Sequence, residues 1–345
     1  MEVLICSYLE SFPTWLLIII GAITLYTISK GADILVDEAV NLSLNLGISK
    51  TIIGATIVSL GTTLPEASVS VLAAINGNPD LALGNAIGSV IADTGLIIGL
   101  AALIGKLPVD ESIVNRQGKI QVWAGVLLAV VSLPFLSRGN TGNISQWVGL
   151  MFIGLLITYI YMSIKWSKNL KESKDIQTSE EIAYCEDILK EDKSPLTQIL
   201  KLILGIVLVI GSSKLLIPTV EITAIRIGIP ESIIAATLIA FGTSLPELVT
   251  AITAVKKGHG ELAVGNIVGA DILNVLFVVG GAALVTKGGL NVPINFYKLQ
   301  IPTMLIILIS FRLFSRGENE EITKKEGFLL FSIYLFYIIL NYTWI

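Results

Sequence analysis

One segment of this chain occurs twice, and the repeat limits the available folds more than any other feature. Gly-Thr-Thr-Leu-Pro-Glu ends at Glu66 and Gly-Thr-Ser-Leu-Pro-Glu ends at Glu247, 181 positions later. The match runs on at the same offset: Leu-Ala-Leu-Gly-Asn-Ala-Ile-Gly-Ser around Asn85 is answered by Leu-Ala-Val-Gly-Asn-Ile-Val-Gly-Ala around Asn266. Both copies set a carboxylate, a proline and two hydroxyls inside an apolar run. A carboxylate at membrane depth costs at least a few kcal/mol, so its repetition at matching positions marks function.

The surrounding chain is apolar enough to make membrane depth the relevant setting. Of 345 residues 53% are hydrophobic and 14% charged, against about 25% charged in soluble domains. The net charge of −4 and the lack of a basic stripe exclude nucleic acid as a partner. Glu2 and Glu10, with no basic n-region, speak against a cleaved signal. The two cysteines, Cys6 and Cys185, provide neither a disulfide framework nor a multi-cysteine metal site.

A helix needs about 20 apolar residues to span the hydrocarbon core. By that measure spans are expected near 14–42, 48–75, 80–105, 119–137, 144–166, 197–225, 229–256, 260–286, 296–314 and 326–343. Most of the 23 lysines and arginines then gather on one side, with Arg138, Arg226, Lys287 and Lys298 on the other, which predicts both termini outside. The polar stretch 168–195 becomes a cytoplasmic linker between a first repeat, 1–167, and a second, 196–345. Five spans on each side of it make equivalent elements cross in opposite directions. The expected fold is an all-α membrane protein of ten transmembrane helices in two inverted five-helix repeats, a plan of secondary transporters with sites at the midplane. His259, the only histidine, lies in a Lys-Lys-Gly-His-Gly loop and reads as solvated.

Pro65 and Pro246 cannot donate to the carbonyls of Gly61 and Gly242, so each helix should break there. Broken membrane helices are tolerated where their carbonyls line a cavity or bind a cation. Thr62, Thr63 and Glu66 surround one break; Thr243, Ser244 and Glu247 surround the other. On the next helix of each half, Ser89 and Asp93 stand four apart on one face, matched by Ala270 and Asn274, with Asp271 close to that face. Carboxylates, hydroxyls and carbonyls are hard ligands, suited to calcium or sodium. The plainer alternative, that the hydroxyls bond only their own helices, stays open for any one of them. Lys30, Asp33 and Lys214 read as an ion pair or snorkelling ends outside the site.

These paired Gly-Thr-(Thr/Ser)-Leu-Pro-Glu and Gly-Asn-x-x-Gly segments resemble the cation/calcium exchanger superfamily, specifically its prokaryotic sodium/calcium exchanger branch, from about residue 17 to 345. The resemblance implies a ten-helix antiporter that carries calcium out of the cell against entering sodium; no enzyme activity, cofactor or obligate protein partner is expected, and the short loops with no targeting segment favour a plasma membrane. The resemblance also implies that Glu66 and Glu247 are shared calcium and sodium ligands, that Thr62, Thr63, Thr243, Ser244 and Ser89 serve flanking sodium pockets capped by the carbonyls of Ser59 and Ala240, and that spans 1 and 6 slide as the gate. The family pattern has asparagine and aspartate where this chain has Asp93 and Asn274, serine at Ala270 and asparagine at Asp271. Those departures leave sodium, protons and potassium open as counter-ion. An intramembrane hydrolase built on paired carboxylates lacks a Gly-x-Gly-Asp context and a usable histidine; a non-transporting cation sensor would bind without counterflow.

Overall fold

The computed structural model describes residues 2–109, 111–134, 141–174, 195–228, 242–316 and 321–343. Its helices follow the apolar runs. A short helix α1 (Glu2–Glu10) precedes the long α2 (Thr14–Leu46). The next apolar run is broken as Pro65 requires, into α3 (Lys50–Thr62) and α4 (Leu64–Ile75), bent by 44°. Then come α5 (Pro79–Ile104), α6 (Glu111–Val131), α7 (Gln146–Lys174) and α8 (Pro195–Arg226). The second half continues with α9 (Leu245–Lys256), α10 (Gly260–Val285), α11 (Phe296–Phe314) and α12 (Lys324–Thr343).

Among the described residues six helices, α2, α5, α7, α8, α10 and α11, are long and apolar enough to cross a membrane, and the broken pair α3 and α4 makes a seventh. Helices α6 and α12 stand where the fourth and tenth spans are expected but are not among these, and residues 229–241 of the seventh lie outside the described residues. So do Ala240, Cys185 and residues 175–194 of the linker. Helix α7 runs on to Lys174, into the stretch expected to be linker.

Two features lie outside the spans expected from the apolar runs. Helix α1 is closed by Arg226, whose guanidinium donates to the carbonyls of Phe12 (2.6 Å) and Glu10 (2.7 Å), and Leu9, Leu17 and Ile222 bury a small apolar patch beneath it. The second departure is two antiparallel ribbons of two or three residues. They pair β1 (Leu107–Pro108) with β4 (Glu321–Ile322), and β2 (Gly142–Ile144) with β3 (Leu290–Val292). Each joins a connection of one half to a connection of the other, which gives the loop backbone hydrogen-bond partners. Apolar counting cannot foresee so short a strand.

Burial separates centre from periphery. The spanning stretches of α5 and α10 are 78% and 83% buried, whereas those of α2, α7 and α8 are only 28–33% buried, so the first pair forms the core and the others present apolar faces to lipid. The core joins the halves, because α3 packs directly on α10. The contact depends on glycines: a Cβ on Gly54 would stand 2.5 Å from the Leu262 carbonyl, and one on Gly265 would stand 2.1 Å from that of Thr51. Gly265 and Gly269 form the small-xxx-small spacing that lets membrane helices meet backbone to backbone.

At one end of the bundle ion pairs tie α2 to the turn before α10. Lys257 Nζ lies 2.8 Å from both carboxylate oxygens of Asp37 and 3.3 Å from Asp33. Asp33 also meets Lys30 at 3.6 Å. Burial acts against the charged form of Lys257, but Asp37 and Asp33 outweigh it and hold the ammonium above the ordinary lysine range. Lys50 bridges to Glu261 at 2.7 Å and lies 3.2 Å from His259 Nδ1. His259 is therefore no simple solvated loop residue: partial burial first, then the Lys50 charge, push its pKa down.

Candidate cation site

Both motif glutamates stand at the first turn of a helix, because the proline that breaks each span also begins the next segment. Glu66 opens α4 and Glu247 opens α9. A carboxylate there faces the positive end of the helix dipole and orphaned backbone N–H groups. Each is only 1% exposed. In α5 and α10 the helices widen into π-helical turns at Ala92–Ile98 and Asn274–Val279, which include Asp93 and Asn274; a third, Gly54–Val58, lies in α3. Such turns relax the i−4 ladder and collect at functional positions. In α3 the Ala55 carbonyl of that turn accepts the Tyr159 hydroxyl from α7 at 3.1 Å.

The site is shared between the halves. Thr62 Oγ1 on α3 lies 3.4 Å from Asn266 Oδ1 on α10 and within reach of the Glu247 carboxylate. Asn274 Nδ2 on α10 donates to Asp93 Oδ2 on α5 at 3.3 Å, and Ser244, just before α9, is also within bonding reach of Asp93. Glu66 and Asp93 act on each other electrostatically, and Glu247 feels both. Asn85 braces the arrangement by donating to the Glu66 carbonyl (3.2 Å) and to Ser70 Oγ (3.0 Å).

The expected site residues thus divide. Thr62, Glu66, Asp93, Ser244, Glu247 and Asn274 converge. Thr63 and Ser89 are buried with hydroxyls that have no hydrogen-bond partner among the described residues, and the same holds for both Glu66 oxygens, Glu247 Oε2, Asp93 Oδ1 and Asn274 Oδ1. Thr243 is half-buried. The Ser59 carbonyl already accepts the Thr63 N–H at 2.9 Å and the Thr62 hydroxyl at 3.4 Å. Asp271 is drawn away from this group: Gln121 Nε2 donates to its Oδ2 at 2.6 Å and the Thr94 hydroxyl donates to the same oxygen. Among the described residues no three acidic, histidine or cysteine side chains gather as ligands of a single metal ion. The carboxylates are therefore spread through the site, and an ion held there needs hydroxyl, amide and carbonyl oxygens as well. A set of that kind suits hard cations such as calcium or sodium.

Sequence reasoning left out Thr94, Gln121, Asn266 and Lys214. Lys214 is an exposed lysine on α8 whose charge reaches Glu66. Its place inside an apolar run was the available signal. Gln121 carried none, since a single amide in a helix has no spacing to read.

A buried set of oxygen-bearing side chains drawn from both halves of a broken-helix bundle fits one class, the cation-translocating membrane transporters. The family model described as "Sodium/calcium exchanger protein" matches residues 15–165 and 197–343, and the chain belongs to that family, whose members are ion exchangers and not enzymes. It is 32% identical over 329 residues to the inner membrane protein YrbG of Escherichia coli strain K12, covering 94% of this chain and 96% of that one. Similarity to the sodium/calcium exchanger MaX1 of Methanosarcina acetivorans is 26% over 350 residues, covering 94% and 97%. The fold is that of the sodium-calcium exchanger NCX_Mj, with a TM-score of 0.78, 24% identity, and 95% of this chain covered against 100% of that chain. The protein is a multi-pass membrane protein of the cation/calcium exchanger superfamily.

Proposed function

We propose that the protein exchanges calcium for sodium across a membrane, using the oxygens around Glu66, Glu247 and Asp93 as one transport site. The reading is carried by a single observation, the meeting of Thr62, Asn274 and Ser244 with carboxylates of the opposite half. A site divided between two halves changes its exposure when they move relative to each other, which is the physical requirement of alternating access. Glu66 and Glu247 are the shared ligands, with Thr62, Thr63, Thr243, Ser244, Ser89, Asp93, Asn274 and the Ser59 carbonyl completing the ion shells. An ion-free site holding several buried charges is costly to carry through an occluded state, so exchange is favoured over slippage.

The same reading takes the chain as ten spans in two inverted repeats, 1–167 and 196–345, with both termini outside and 168–195 on the cytoplasmic side of a plasma membrane. Calcium uptake by proteoliposomes holding the full chain tests it. An opposing sodium gradient should drive uptake, and Glu66→Gln or Glu247→Gln should abolish it; undiminished uptake in either variant sinks the proposal. A second reading, coupling to potassium or protons, is favoured by Asp271 and Ala270, which alter the second half's pattern. Uptake driven by a potassium or pH gradient alone selects that reading over the first.

A further inference from the structure

The two copies of the repeat differ at a pair of positions that meet in space. Asp271 on α10 stands where the first half has Val90, and Thr94 on α5 stands where the second half has Val275. The fold brings these two unmatched polar residues into contact, with the Thr94 hydroxyl donating to Asp271 Oδ2. Gln121 on α6 closes the group by donating to the same oxygen at 2.6 Å, with Thr94 Oγ1 3.4 Å away. All three are at most 1% exposed, as is Gln117 one turn earlier on α6.

These contacts do not complete the group. Among the described residues Asp271 Oδ1, Gln121 Oε1 and Gln117 Oε1 have no hydrogen-bond partner. The charged group acting on Asp271 is Asp93, of like sign; the other charged residues on helices packed against α10 include Lys50, Glu247, Lys256, Arg116 and Lys119. A buried carboxylate held by two neutral donors on one oxygen remains uncompensated. A purely structural network would satisfy its members. Here the donors fix one side of the carboxyl and leave oxygens, all hard, on the other.

We propose that Asp271, Gln121 and Thr94, with Gln117, form an accessory site for one monovalent metal cation beside the transport site. One carboxylate balances one unit of charge, whereas a divalent ion would leave a net buried charge and calls for more carboxylates. In transport the bound ion offsets a negative charge next to Asp93 and so tunes how tightly the neighbouring site holds its cargo. That meaning rests on the exchange reading, but the binding itself is read without transport, so the two can fail separately.

The test uses the purified full chain carrying Glu66→Gln and Glu247→Gln, which silences the transport site, with calcium chelated. Thermal midpoints are compared in sodium chloride, potassium chloride and choline chloride at equal ionic strength, since a ligand of the native state raises the midpoint with its concentration. The expected result is a midpoint raised by sodium or potassium over choline. Adding Asp271→Asn should remove that increment and Thr94→Val, which copies Val275, should reduce it. The second variant keeps the test open if the first does not fold. An increment unchanged by both substitutions, or no increment at all, overturns the site. A midpoint that follows pH alone, without regard to the salt, assigns the carboxyl a proton and overturns it too.

Discussion

Gly269→Ala should damage this protein more than its single added methyl group suggests. Gly269 lies where α10 crosses α3, and a Cβ built there would stand 2.5 Å from the Ala55 carbonyl, 2.5 Å from Ser59 Oγ and 2.6 Å from Ala55 Cα. Real Cβ contacts essentially never fall below 3.0 Å, so the helices must part by about half an ångström. No flexible side-chain tip can absorb that, because two of the three atoms belong to backbone. Overpacking of this kind costs about 1–3 kcal/mol. The displaced segment also carries Ser59 and Thr62 away from Asn266 and Glu247, so ion binding should weaken together with stability. The comparison variant is Gly154→Ala on α7, an exposed glycine with nothing within 4 Å of an added Cβ. There the greater helix propensity of alanine should be neutral or favourable by up to about 1 kcal/mol. Thermal midpoints in detergent and initial rates of calcium uptake in proteoliposomes should fall for Gly269→Ala and hold for Gly154→Ala. If both variants behave as the parent, the α3–α10 contact is not the close backbone crossing argued above.

Lys214→Gln should tighten cation binding, because it removes a positive charge that reaches Glu66. Coulomb energy scales with ion charge, so the logarithmic shift in half-saturation should be about twice as large for calcium as for each sodium, whereas Lys214→Arg leaves both in place; equal or opposite shifts refute the electrostatic role. His259 makes an acid-side prediction. Its pKa is lowered by partial burial and by Lys50, so the unfolded chain protonates first, and the contribution to stability is complete above the unfolded value of about 6.5 and lost as pH falls from there through the lowered folded value. Lys50→Gln should raise the imidazole midpoint measured by NMR and flatten that loss; an unmoved midpoint removes Lys50 as a cause.

The break at Pro65 was legible in the sequence because proline's missing N–H acts on its own helix and nothing remote can restore it. Glu66 and Glu247 were legible for a similar reason: a carboxylate in an apolar run is costly wherever the chain carries it, and here the run is repeated. The places of α2, α5, α7, α8, α10 and α11 followed from the same apolar count, although α7 runs on past its apolar run to Lys174. By contrast α6 and α12, expected as spans, are not among the helices apolar enough to qualify by themselves. The ribbons escaped because two or three residues contain no period, and α1 because its last carbonyls are bonded by Arg226, more than two hundred positions away.

Asp271 marks the boundary between the two kinds of information. Spacing along α10 put it near the face of Asn274, and nothing in the sequence could say that α6 would deliver Gln121 to it. Helical period relates residues on one helix; which helix lies opposite depends on where backbones can approach, and that was decided by Gly54, Gly265 and Gly269. The chain by itself therefore determined that it enters a membrane, that the span holding Pro65 breaks there, and which acidic residues are candidates for a cation site. Only tertiary packing decided which carboxylates share a site, which are drawn aside, and which unmatched residues of the two halves come together.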